Sequence, residues 1–251
     1  MPETPSVRYE SHGPVRTLTL DRPERRNAVD RATADALLEG FQAFEQDADA
    51  RVLVVAGRPE AFCAGADLKA MDLRAKADAG PMGFTRLRAS KPTIAAVEGW
   101  CVAGGLEIAL WCDLRVAGRS THFGCLERRW GVPLIDGGTQ RLPRIVGLGR
   151  ALDLVLTGRA IDSAEALDMG LISRVVDDGA ALEAAIALGE QIAGFPWACV
   201  VSDRAGVLDS FDVTLEEGLA REMQHSGHTL LEAAAGAQRF AKGSGRGGAG
   251  T

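Results

Sequence analysis

Glu107 follows the glycine pair Gly104 and Gly105 inside CVAGGLEIALWCD, which runs from Cys101 to Asp113 and is otherwise almost wholly apolar. The glycines let the backbone turn or come close to another group, and Leu106 to Leu110 then open a helix. An ionised glutamate in such a run needs a partner. That partner is either the positive end of the helix dipole, worth a few tenths to about 1 kcal/mol, or a ligand in a cleft. A second carboxylate, Glu127, and a third, Asp136, lie in FGCLERRWGVPLIDGGTQRLPRIVG, from Phe123 to Gly147. Paired carboxylates are a common means of general acid and base catalysis on one carbon skeleton. The competing readings are a solvated ion pair of Glu127 with Arg128 or Arg129, and a turn in which Asp136 is only an acceptor beside Gly137 and Gly138. In AFCAGADLKAM, from Ala61 to Met71, Gly65 stands between two alanines. Small side chains leave backbone N–H groups unobstructed, so this loop, like the turn before Glu107, can donate hydrogen bonds to an oxyanion.

The elements that must position these groups are legible as an alternation. VRTLTL, Val15 to Leu20, has strand character, and Pro23 breaks it. Ala34, Leu37, Leu38, Phe41 and Phe44 follow a helical rhythm, which predicts an amphipathic helix over 31–46. RVLVVAG, Arg51 to Gly57, is too apolar to be exposed on either face of a sheet. KPTIAAVEG reads as a buried strand, GGLEIALWC as a helix and DLRVAG as a further strand. Strand and helix in alternation define an α/β fold. Asp162 with Glu165, and Thr214 with Glu217, have the spacing of capping boxes that open helices, the first ahead of a strand in LISRVVD. The composition turns almost wholly helical after Ala180, with segments near 181–193, 197–208 and 214–235. This predicts an α/β core over 1–180, a helical region over 181–240, and a glycine-rich tail over 241–251 that is expected to be disordered.

The bulk composition narrows the function classes. With 251 residues, 46% apolar and 25% charged, the chain has an ordinary globular composition and can bury a full core. A net charge of −6 argues against a generic nucleic-acid binder. Cys63, Cys101, Cys112, Cys125 and Cys199 are odd in number and form no CxxC, so neither a disulfide framework nor a metal site is suggested. No stretch has the length and apolarity of a membrane span or a leader, and a cytoplasmic location is expected. The histidines His12, His122, His225 and His228 stand in no triad-like spacing with Ser and Asp.

Taken in order, DRPERRNAVD, AFCAGADLKAM, VEGWCVAGGLEIALWCDLRVA, FGCLERRWGVPLIDGGTQRLPRIVG and LTGRAIDSAEALDMGLISRVV resemble the signposts of the crotonase superfamily, the enoyl-CoA hydratase/isomerase family. The likeness covers roughly residues 7–240. It implies a crotonase-like spiral of ββα units with a C-terminal helical trimerisation region, hence a homotrimer or a dimer of trimers. It also implies an acyl-CoA substrate, with no metal or redox cofactor because coenzyme A is part of the substrate, and neither a nucleic-acid nor a membrane partner. Matched residue by residue, the resemblance gives the thioester oxygen to the N–H groups of Ala66 and Gly104. It makes Glu107 the group that positions and deprotonates the added water, and Glu127 the donor of a proton to the α-carbon. The nucleotide part of coenzyme A would lie near Arg26 and Ala28 and against the backbone of Ala64, Asp67 and Leu68.

Two departures bear on the reaction. Glu24 stands where relatives often carry Lys, which leaves the phosphates to Arg25, Arg26 or Lys69. Trp130 and Asp136 add bulk and a carboxylate near the acyl pocket, where small residues are the common pattern. Hydration of a 2-enoyl-CoA is expected first, because both glutamates are present. An isomerase, or a specialised acyl-CoA hydrolase or lyase using Asp136, is the alternative. A non-catalytic CoA-binding relative is disfavoured by the retention of both glutamates.

Overall fold

The computed structural model describes residues 5–73 and 78–242. It is an α/β structure with two sheets. The strands are β1 (Val7–His12), β2 (Val15–Leu20), β3 (Val52–Ala56), β4 (Ala61–Cys63), β5 (Thr93–Val97), β6 (Trp100–Val102), β7 (Leu114–Gly118), β8 (His122–Gly124), β9 (Ala160–Asp162) and β10 (Arg174–Val176). One sheet has the order β1-β2-β3-β5-β7-β10, the other β4-β6-β8-β9. Three successive strand pairs send their first member into the larger sheet and their second into the smaller: β3 and β4, β5 and β6, β7 and β8. This repeated step is the spiral implied by the family resemblance. All pairings inside each sheet are parallel except the antiparallel edges β1–β2 and β8–β9.

The larger sheet is buried where its sequence is most apolar. Every residue of β2, β3 and β5 is buried, as expected for parallel strands covered on both faces. Helix α1 (Arg31–Gln46) forms over the expected residues because Asp30 caps it, accepting from Thr33 N at 2.9 Å, and because Leu37, Phe41 and Phe44 turn one stripe into the core. Helix α2 (Gly104–Trp111) is buried all round and follows β6 directly. Its second glycine has a packing reason, since a Cβ at Gly105 would lie 2.1 Å from the Cys63 carbonyl oxygen at the end of β4. Backbone cannot yield as a side chain can, so Gly105→Ala is expected to cost about 2 kcal/mol or more and to lower the thermal midpoint by several degrees. A variant that melts within a degree of the wild type would show that α2 can slide off β4.

The smaller sheet escaped the sequence reading. Its strands are three residues long, too short to show a period of two, and β1 buries no residue fully that would mark its period. The segment LISRVVD yields only Arg174–Val176 as strand, while Leu171 and Ile172 are buried in the core ahead of it. Helices α3 (Gly138–Val146), α4 (Leu148–Thr157) and α5 (Ser163–Asp168) follow the second carboxylate segment. Asp162 caps α5 through Glu165 N, but the box is only half made. The Glu165 carboxylate turns to Arg159, at 3.0 and 2.5 Å, because a bidentate guanidinium outbids a neutral N–H.

The chain divides into two compact units, the first ending at Glu190 and the second beginning at Gln191. The composition shifts ten residues earlier, near Ala180, but most of α6 (Ala181–Ala193) stays with the first unit. Ala181 and Ala185 are fully buried, and Gly189 lies close enough for a Cβ to meet Val15 and Val52. The second unit is helical, with α7 (Trp197–Asp209), α8 (Leu215–Ser226) and α9 (Leu230–Ala241). Thr214 and Glu217 form the complete capping box expected of them. The single helix read over 214–235 is broken at Gly227–Thr229 by a short 3₁₀ turn. Residues 243–251 of the glycine-rich tail lie outside the described residues. None of the five cysteines forms a disulfide, and no group of potential metal ligands occurs among the described residues.

Candidate active site

The smaller sheet brings three loops to one edge. β4, β6 and β8 are parallel, with Cys63 beside Cys101 and Cys101 beside Phe123. The chain leaving β4 therefore carries Ala64–Ala66, that leaving β6 carries Ala103 and Gly104, and that leaving β8 carries Glu127, all at the carboxyl ends of neighbouring strands. They open on a cavity of about 520 Å³, within the usual range for small-molecule sites, to which Ala66, Gly104, Glu107, Glu127 and Asp136 all contribute.

Two N–H groups at this edge are held free by the backbone itself. Ala66 forms a parallel bridge with Val29, in which Gly65 O accepts from Val29 N at 2.8 Å and Asp67 N donates to Val29 O at 2.8 Å. In that pattern the N–H of Ala66 points to the other side. Gly104 begins α2, and the first N–H groups of a helix have no intrahelical acceptor. Ala103 before it has φ 54°, a left-handed value that a residue other than glycine adopts only when its surroundings enforce it. The Ala103 N–H, bonded to Gly124 O at 3.0 Å, is one such constraint. Gly65, at φ 93°, is close enough to Gly104 N that a Cβ on it would stand 2.9 Å away, so the two donor loops touch.

Glu107 sits in the first turn of α2 and is 2% exposed. Its partner is neither a solvated cation nor the dipole of its own helix alone. Oε1 accepts from Gly138 N at 2.7 Å and from Asp136 N at 2.9 Å, at the start of α3. Gly138 is needed for this, since a Cβ there would lie 2.9 Å from Oε1. Burial dominates over these hydrogen bonds and pushes the Glu107 carboxyl up to about 7, with the charges of Asp136 and Glu127 as smaller causes in the same direction.

Glu127 lies in a 3₁₀ turn, Leu126–Trp130, and is 5% exposed. The surface ion pair with Arg128 or Arg129 is not made. Arg128 donates to Val155 O and Arg129 to Gly158 O, while both carboxyl oxygens of Glu127 are buried with no hydrogen-bond partner among the described residues. Burial raises its pKa. A buried acid in this state favours its proton and has it available to a ligand in the cavity. Asp136, 1% exposed, is not a local turn acceptor. Its Oδ1 accepts from Met82 N at 2.9 Å and from the Thr85 hydroxyl.

Of the residues expected to meet coenzyme A, Ala64, Asp67 and Leu68 line the cavity, whereas Arg26 and Ala28 do not. Arg26 is exposed and stands behind the donor loop, its carbonyl accepting from Ala64 N at 3.1 Å. Ala28 is buried, with its carbonyl bound by Arg22. The N–H groups of Ala64 and Asp67 are both engaged, the second by Val29 O, and the Asp67 carboxylate accepts from Lys69 N and pairs with Arg22. Sequence reasoning missed four contributors. Asn27, fully buried, holds Arg22 N and Ala61 O through its side chain and so fixes the turn behind the donor loop. Met82 and Thr85 come from a stretch, 78–90, with no periodicity to read. Arg141 ties this stretch to the third carboxylate, donating to Thr85 O at 2.5 Å and Asp136 O at 2.9 Å. Its place three residues after Gly138 was the available signal.

Two backbone donors with no partner among the described residues and two buried glutamates whose pKa burial raises share one cavity, an arrangement suited to holding and protonating an enolate. The family model for enoyl-CoA hydratase/isomerase matches residues 10–243. A probable enoyl-CoA hydratase of Rhizobium meliloti is 39% identical over 218 residues, 85% of this chain and 85% of that protein. The 2,3-dehydroadipyl-CoA hydratase of Escherichia coli is also 39% identical, over 84% of each chain. The crystal structure of an enoyl-CoA hydratase from Mycobacterium tuberculosis superposes with a TM-score of 0.90 at 34% identity, covering 95% of this chain and 96% of that one. The chain belongs to the enoyl-CoA hydratase/isomerase family.

Proposed function

We propose that this protein is an enoyl-CoA hydratase, adding water reversibly across the 2,3 double bond of an acyl-CoA thioester. The observation that carries the reading is the convergence of Glu107 and Glu127 on the cavity that also holds the Ala66 and Gly104 donors. In the proposed reaction the thioester oxygen lies between the two N–H groups, which stabilise the negative charge that develops there. Each such donor is worth about 10² to 10³ in rate. Ionised Glu107 takes a proton from water as the water oxygen bonds to the β-carbon. The double-bond electrons move to the enolate, and protonated Glu127 gives its proton to the α-carbon, leaving a 3-hydroxyacyl thioester. Solvent exchange then moves the proton from Glu107 and restores the one on Glu127. The reaction as proposed uses no metal and no redox cofactor, since coenzyme A arrives as part of the substrate. Its pantetheine arm would pass Ala64 and the exposed Leu68, with the exposed Arg26 available to phosphate. A homotrimer or a dimer of trimers is proposed from the helical unit, where Leu215, Leu219 and Met223 are exposed at one-turn spacing along α8.

The test is loss of the enoyl-thioester ultraviolet absorbance with crotonyl-CoA. Rapid loss with formation of 3-hydroxybutyryl-CoA is the expected result. Binding of crotonyl-CoA without turnover, combined with migration of the double bond in a 3-enoyl-CoA, would replace the hydratase reading by an isomerase.

A further inference from the structure

We propose that Asp136 determines specificity for the acyl group, its Oδ2 recognising a hydroxyl carried on the acyl chain beyond the β-carbon. This rests on the preceding reading only for where the acyl chain lies. Asp136 is 1% exposed and lines the cavity, yet both protein donors that reach its carboxyl, Met82 N and the Thr85 hydroxyl, converge on Oδ1. Oδ2 takes no hydrogen bond among the described residues. The two nearby guanidiniums do not neutralise it by direct contact. Arg86 donates to Ile135 O at 2.8 Å, and Arg141 to Asp136 O and Thr85 O.

The surroundings are built around this carboxyl. Gly80, at φ 88°, approaches so closely that a Cβ there would stand 2.5 Å from Thr85 Oγ1 and 2.7 Å from Asp136 Oδ1. Glu107 accepts from Asp136 N and so fixes the backbone of this residue beside its own carboxyl, and Leu73, Met82 and Ile135 make the neighbouring wall apolar. An unsubstituted acyl chain would strip water from Oδ2 and give nothing back, whereas a hydroxyl restores a hydrogen bond. A hydroxyl also fits either protonation state, accepting from the neutral carboxyl and donating to the carboxylate. Burial raises the pKa of Asp136, so its neutral form is less disfavoured than that of an exposed aspartate. Sites that hydrogen-bond a buried substrate group reject analogues lacking it far more strongly than apolar pockets reject a missing methylene.

The experiment measures binding of saturated thioesters by calorimetry, which needs no turnover. 4-Hydroxybutyryl-CoA is compared with pentanoyl-CoA, and 5-hydroxypentanoyl-CoA with hexanoyl-CoA; each pair exchanges a hydroxyl for a methyl at constant length. At least one hydroxylated chain is expected to bind about tenfold tighter or more. The ratio should fall to about one in Asp136→Leu. It should change at least about threefold in Asp136→Asn, which keeps the acceptor for Met82 N and Thr85 and so preserves the loop if the leucine variant does not fold. Equal affinities within both wild-type pairs, or a ratio unmoved by both substitutions, would overturn the proposal. Hydration of crotonyl-CoA with no hydroxyl preference would sink this proposal alone; a hydroxyl preference with no hydration would sink the hydratase reading alone.

Discussion

Glu127→Gln is expected to lower the rate of crotonyl-CoA hydration by about 10²-fold or more, with the affinity for a saturated acyl-CoA nearly unchanged. The glutamine keeps the size and polarity of the side chain and removes only the transferable proton. Because neither carboxyl oxygen of Glu127 is held by another of the described residues, the substitution breaks no hydrogen bond that packs the site. A loss confined to the chemical step therefore reports proton delivery rather than a collapsed site. Exchange of the α-hydrogen of the 3-hydroxyacyl product with deuterium should fall in parallel. A variant with near-normal turnover, together with inactivation by Asp136→Asn, would transfer the acid role to Asp136.

Glu107→Gln carries the second large effect, and it moves activity and stability in opposite directions. Hydration should again fall about 10²-fold or more, because an amide cannot accept the proton of the attacking water. In the wild type, kcat/KM should rise with pH through about 7 as Glu107 ionises, a limb that disappears in the variant. The stability argument follows from the same carboxyl. Its pKa is 4.5 ordinarily and about 7 when folded, so the folded state disfavours its charge. Below 4.5 the group is neutral in both states and exacts no penalty. Between 4.5 and about 7 the unfolded chain gives up the proton while the folded chain retains it, and stability is lost as pH rises. At about 1.36 kcal/mol per pH unit the full penalty approaches roughly 3 kcal/mol above pH 7. The glutamine oxygen still accepts from Asp136 N and Gly138 N, so the variant should melt higher than the wild type at pH 8, and the gap should close towards pH 4.5. Equal melting at pH 8 would mean that Glu107 is better solvated than its burial implies.

These two glutamates also show where sequence reasoning stops. The residue types and the glycines beside them raised the right question about Glu107, but two answers stayed open from the residues alone. The hydrogen bonds that Glu107 Oε1 accepts from Asp136 N and Gly138 N depend on a contact between segments about thirty positions apart, which no local pattern encodes. For Glu127 the local pattern was misleading. Two adjacent arginines suggest an exposed ion pair, and only the packing of α4 against the 3₁₀ turn supplies the carbonyls that draw those arginines away. Asn27 was read past because a side-chain hydrogen bond to a residue 34 positions away has no periodicity.

What the sequence by itself determined is the alternation of apolar strands and amphipathic helices, the placement of α1 and α2, and the five ordered motifs that carry the family resemblance. Those features are local, since hydrophobic period, capping residues and glycine spacing act within a few positions of one another. Tertiary structure alone decided that short strands of three residues would form a second sheet, because such strands are stabilised by their neighbours rather than by their own propensity. That sheet aligns Ala66, Gly104 and Glu127 at one edge, and the burial around it raises the pKa of both glutamates, that of Glu107 to about 7. Desolvation is a property of the whole surrounding packing, so the chemistry of these acids could be suspected from their positions in the chain but was decided only when the chain had folded around them.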